Sequence, residues 1–119
     1  MARTHKELEI WKRGVDFVSE IYKFTQTLPK TEMYGLCSQM RRAAVSFPSN
    51  IAEGAARSSS AEYIRFIYMS LGSLSELETQ LIISKNLKYT VDVEKWLNEI
   101  ESFRKMTLNF IKYLKQKEK

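Results

Sequence analysis

The sequence is poor in the residues that punctuate and cross-link small folds. Four Gly and two Pro in 119 residues leave few sites for tight turns, which argues against a sandwich or barrel built from many hairpins. One Cys (Cys37) and one His (His5) exclude an intramolecular disulfide, a Cys/His zinc centre and a pair of His ligands on one metal. A Ser-His-Asp or Cys-His enzyme would have to draw on that one His near the N-terminus, so nucleophilic catalysis is disfavoured. Long apolar runs are missing too. The longest stretches without a charge, 43–52 and 66–75, are ten residues each, too short to span a bilayer. The opening MARTHKELEI is charged where a signal peptide would be apolar. These absences predict a cytoplasmic protein that is not an enzyme, has no cofactor or metal and makes no membrane association.

What remains is helical. The length suits a single domain, 1–119, and four segments carry a 3.6-residue period. The first opens at Thr4-His5-Lys6-Glu7, a capping-box spacing. Leu8, Trp11, Val15, Val18, Tyr22 and Thr25 then form one stripe, and Ile10, Phe17, Ile21, Phe24 and Leu28 the adjoining one, before Pro29 ends it. So wide an apolar face is what a helix touching two neighbours needs. The second segment is expected from Thr31 or Glu32 to about Arg57, burying Leu36, Met40, Ala43, Phe47 and Ile51. Pro48 lies inside it, and its missing amide and ring clash predict a kink or two successive helices.

Ser59-Ser60-Ala61-Glu62 repeats the capping spacing ahead of a third segment, which is expected to end at Lys85-Asn86 with Asn in a left-handed cap. Asp92 caps the fourth, where Trp96, Ile100, Phe103, Thr107, Phe110 and Leu114 form a heptad-like seam. The expected fold is all-α: an antiparallel, up-down-up-down four-helix bundle with helix two kinked near Pro48.

Charge is unevenly placed. Thirteen basic and thirteen acidic residues cancel over 1–101, whereas 102–119 hold six basic (Arg104, Lys105, Lys112, Lys115, Lys117, Lys119) and one acidic (Glu118), which is the whole net charge of +5. A patch of this kind attracts nucleic acid or another polyanion; the same lysines also complement the macrodipole of their own helix and aid solubility. Arg41, Arg57 and Arg65 are further candidate phosphate contacts, since a guanidinium clamps phosphate in two-point fashion. Tyr63, Phe66 and Tyr113 sit at spacings that fit packing better than base stacking, and Gly72, isolated in helix three, fits close helix contact.

Two polar patterns are candidates for chemistry. Glu76 and Glu78 stand two apart on a helix, pointing about 200° away from each other, so they form no acid/base couple. Gln39, Arg42, Ser46, Ser49, Glu53 and Arg57 recur every three or four residues along helix two. That line holds more Ser and less Lys than a solvated flank and reads as a hydrogen-bonded seam against another subunit.

Residues 34–54, YGLCSQMRRAAVSFPSNIAEG, followed by 72–80, GSLSELETQ, resemble the 23S rRNA intervening-sequence protein family, also called four helix bundle proteins and historically labelled ribosomal-protein-like. The likeness runs from the Trp11 region through helix three; helix four is similar mainly in pattern. The resemblance implies a basic, bacterial, all-helical protein assembled as a homo-oligomer, a pentamer being favoured, with Gln39, Arg42, Ser46, Ser49, Asn50, Glu53 and Glu76 as its polar network. A distant relative is the accessory variability protein of diversity-generating retroelements, a pentameric basic bundle that works with nucleic acid. By that analogy the partners are a second copy of the chain and rRNA or another nucleic acid, for which the charge reading offers Arg41, Arg57, Arg65, Arg104, Lys105, Lys112, Lys115 and Lys117 as candidate contacts. The alternative is a protein-interaction scaffold that binds no nucleic acid. A small-molecule-processing bundle is a weaker third reading.

Overall fold

Helices start where a side chain supplies partners for their first amides, and the four starts differ in how that happens. The computed structural model describes residues 4–117 and holds four α-helices: α1 (Glu9–Thr25), α2 (Leu36–Ala55), α3 (Ser60–Asn86) and α4 (Glu94–Lys117). Ser59 caps α3, its hydroxyl accepting the Glu62 amide at 3.2 Å. Asp92 acts similarly ahead of α4, where Oδ1 accepts the Glu94 amide at 2.9 Å. Two starts depart from the sequence pattern. The Glu7 carboxylate does accept the Thr4 amide, at 3.4 Å, but this spacing closes a single 3-10 turn, His5–Glu7, which extended Leu8 separates from α1. Pro29 opens another 3-10 turn, Lys30–Glu32, and Gly35 with ψ −107° redirects the chain, so α2 begins at Leu36 instead of 31–32.

α2 continues as one helix through Pro48 and ends at Ala55. Carbonyls around the proline draw side-chain donors: Asn50 Nδ2 reaches the Ser46 carbonyl and the Ser70 hydroxyl reaches that of Phe47, both at 2.9 Å. α3 includes Asn86, and the left-handed residue is Lys88, with φ 63°, two positions beyond the expected cap.

The four helices form a bundle of 49 × 21 × 19 Å. Met40, Ser46 and Phe47 of α2 meet Ser84, Ser73 and Ser70 of α3, so partners step down one helix as they step up the next. At the centre Phe103 of α4 lies 5.3 Å from Phe17 of α1 and 5.0 Å from Phe47 of α2, ring to ring. Gly14 makes this possible, because a β-carbon there would lie 3.0 Å from the Phe47 ring. Buried hydroxyls are satisfied locally: Ser84 donates to the Gln80 carbonyl at 3.0 Å and Thr107 to that of Phe103 at 2.7 Å.

The two apolar stripes of α1 enter this core unequally: in the second, Thr25 is buried and Leu8, Trp11 and Val18 pack against the core from its edge. Ile10, Phe17, Ile21 and Phe24 are buried, whereas Val15 and Tyr22 remain 40% and 38% exposed. α1 meets α2 and α4 with its inner face, so the outer edge of its second stripe, at Val15 and Tyr22, lies on the surface of the single chain. Gly72 likewise differs from expectation. It is exposed and no atom would lie within 4 Å of its β-carbon, whereas the close helix contacts fall at Gly14 and Gly54.

Candidate nucleic-acid interface

The contacts between helices decide which basic residues lie together. Gly54 abuts Tyr63 and Phe66, Tyr63 meets Phe110 and Lys115 reaches Tyr68. The end of α2, the start of α3 and the end of α4 therefore share one end of the bundle, and Arg57, Arg65, Lys112, Lys115 and Lys117 are gathered there. Arg65, Lys105, Lys112 and Lys117 are exposed and form no ion pair with any described residue. Glu118 and Lys119 of the basic segment lie outside the described residues.

Other candidates are engaged elsewhere. Arg104 is half-buried, pairing with Glu78 at 3.0 Å and with Glu101 at 2.8 Å, and so ties α4 to α3. Arg57 pairs with Glu53 at 2.7 Å and lies over the Phe66 ring. Arg41 sits near the opposite end, where Nε donates to the Thr25 hydroxyl at 2.8 Å and the guanidinium covers Tyr22.

The aromatic residues divide in a way that spacing alone did not reveal. Tyr63 is packed, and burial pushes its phenol up to about 12. Tyr113, by contrast, is 51% exposed and Tyr68 46% exposed. Both stand beside lysines: the Lys115 ammonium is 3.2 Å from the Tyr68 hydroxyl, and that of Lys117 is 5.5 Å from the Tyr113 ring centre.

The polar line of helix two is split between internal bonds and open surface. Asn50 and Ser73 both bond the Ser46 hydroxyl, at 2.9 and 2.8 Å. Glu53 faces Arg57, not Arg42. Arg42, Gln39 and Glu76 instead line an open groove of about 460 Å³ between α2 and α3, together with Gln80. Gln80 Oε1 is buried with no hydrogen-bond partner among the described residues. On the other flank of α2, Ser49, Val45 and Pro48 line a groove of about 430 Å³ with Trp11, Val15 and Val18 of α1. A mixed seam thus runs beside an uncovered apolar strip.

Other features close on themselves. The α1–α4 cleft is bridged by Arg13–Glu99 at 3.3 Å and Lys95–Glu20 at 3.9 Å. The Cys37 thiol is buried, which raises its pKa, and it donates to the Thr25 carbonyl at 3.5 Å. Among the described residues, no three His, Cys, Asp or Glu side chains group as metal ligands, and no helix is long and apolar enough to cross a membrane.

A sequence model of the family described as 23S rRNA-intervening sequence protein matches residues 6–109. The chain belongs to that family. The match spans α1, α2, α3 and α4 as far as Asn109, so the intervening-sequence family pattern covers the seam and the core, while Lys112, Lys115 and Lys117 lie past its end. A search of curated proteins gave no match.

Proposed function

We propose that this intervening-sequence protein is a non-enzymatic, homo-oligomeric cytoplasmic bundle that binds RNA or another nucleic acid through its phosphates. The observation that carries this reading is the meeting of Arg65, Lys112, Lys115 and Lys117 at one end of the bundle with no carboxylate paired to them among the described residues. Surface cations left without partners attract a polyanion and release its counterions on contact. The affinity arising this way does not depend on base sequence.

Self-assembly is supported by the other face. Trp11, Val15, Val18 and Val45 form an apolar strip on the single chain, next to Arg42, Gln39 and Glu76, whose side chains make no bond with any described residue. A second copy placed there buries the strip and supplies polar partners, and closed symmetry repeats the contact in a ring such as the pentamer that the sequence resemblance implies. Glutamine replacing Lys112, Lys115 and Lys117 together is expected to weaken filter binding to a 23S rRNA fragment without lowering thermal stability. Wild-type protein that retains no fragment at low salt overturns the reading in favour of a protein scaffold.

A further inference from the structure

The basic end carries two exposed tyrosines that phosphate binding does not use. Tyr113 is the outermost of three rings that lead from the packed interior to the surface. Tyr63 meets Phe110 edge-on at 5.5 Å, and Phe110 lies nearly parallel to Tyr113, 14° apart at 6.1 Å. The inner rings hold Tyr113 in place; it is 51% exposed, and the Lys117 ammonium lies over its ring at 5.5 Å, on a long side chain that can swing aside for a base. On Tyr68 the Lys115 ammonium sits against the hydroxyl, 3.2 Å from the oxygen and 5.6 Å from the ring centre. Placed beyond the hydroxyl at the ring's edge, it does not itself cover a face of this ring, which belongs to a residue 46% exposed. Residues advance 100° each around a helix, so Tyr113 and Lys115 fall on opposite flanks of Lys112.

We infer that this end of the bundle binds single-stranded polynucleotide, with bases stacking on Tyr113 and Tyr68 while Lys112, Lys115 and Lys117 hold the neighbouring phosphates. The inference rests on the nucleic-acid reading above and names its substrate class. A duplex keeps its bases stacked on one another and offers these rings nothing but its backbone. A single strand offers both an open π-face and a phosphate within the reach of one lysine, and that pairing of stacking platform with cation recurs at each tyrosine. Partly exposed rings held in place by packing lose little entropy on stacking.

Fluorescence anisotropy with labelled oligouridylate and oligothymidylate, a duplex of equal length and an abasic strand of equal length tests it. The expected result is tight binding of either pyrimidine strand, with the duplex and the abasic strand about tenfold weaker or more. Tyr68→Leu and Tyr113→Leu should each weaken strand binding roughly tenfold, in line with the loss of one base stack, while Tyr68→Phe and Tyr113→Phe retain it. If the abasic strand binds as well as the pyrimidine strands, the rings are idle. The stacking inference then falls and the phosphate reading stands. Loss of all binding at low salt removes both. Should a leucine variant fail to fold, the abasic comparison on wild-type protein still decides the matter.

Discussion

Gly54 and Gly72 make opposite demands on a β-carbon. At Gly54 it would lie 2.9 Å from the β-carbon of Phe66 and 3.1 Å from the Tyr63 carbonyl, where backbone cannot give way. Gly54→Ala is expected to cost about 1–3 kcal/mol, as overpacking does. Gly72 has nothing within 4 Å and lies mid-helix, so Gly72→Ala is expected to stabilise by about 0.5–1 kcal/mol. Urea midpoints of the two variants check both signs. A further residue-scale device joins the two loops at the other end of the bundle. Tyr89 donates to Glu32 Oε2 at 2.8 Å while Leu36 donates to Oε1 at 3.1 Å. These bonds, Tyr89 first, hold the Glu32 carboxyl below its ordinary 4.5, and the same bond holds the Tyr89 phenol above 10.0. Because the folded carboxyl is the stronger acid, its stabilising contribution is full above pH 4.5 and is lost as pH falls through the lowered value. The phenol's contribution is full below pH 10.0 and is lost as pH rises through the raised one. Tyr89→Phe should therefore lower thermal stability slightly at neutral pH, and the difference from wild type should shrink below pH 4.5.

At the scale of elements, α1 and α2 together leave an apolar strip on the surface, with Val45 40% exposed at its centre. A charge there opposes burial of the strip without touching the core, so Val45→Glu is expected to leave the helical content unchanged and give monomers in light scattering. Arg42→Ala is expected to loosen the proposed assembly with no loss of chain stability, since Arg42 makes no side-chain bond with any described residue. Glu53→Ala should act in the same direction, and because it also releases Arg57 from a 2.7 Å pair it frees one more cation at the basic end. An intact ring for Val45→Glu and Arg42→Ala would remove this face as the interface.

The helices themselves were legible from period and capping signals at Ser59 and Asp92, because both act within one turn of chain. The start of α2 was not, since the turn after Pro29 and the backbone of Gly35 interrupt an otherwise periodic stretch. Spacing read both stripes of α1 as core, because periodicity reports which residues share a face but not whether the chain itself covers it. The same gap hid Tyr113. It follows the helical period of packed residues, yet α4 projects it outward, and only its neighbours Phe110 and Lys117 reveal a surface ring. Arg104 erred the other way: it looked like part of the basic run, but Glu78, 26 residues earlier, claims its charge.

For the whole molecule, the net charge of +5 matters through its placement. Three ion pairs, Arg13–Glu99, Lys95–Glu20 and Arg104–Glu78, tie helix to helix along the bundle, while the surplus collects where α2 ends, α3 begins and α4 ends. The closed assembly proposed above would multiply that surplus by the number of copies, which would raise both affinity and encounter rate for a polyanion. Neutralisation of phosphates at this end is read from the salt dependence of binding. Filter binding of a single-stranded 23S rRNA fragment is measured over a range of salt for wild type and for the variant with Gln at 112, 115 and 117. Each phosphate neutralised on a single strand contributes about 0.7 to the slope of log K against log salt. Wild type is expected to give a steep negative slope, and the variant a slope shallower by about 2 for each chain in contact with the strand. Equal slopes for the two proteins would contradict phosphate neutralisation at this end.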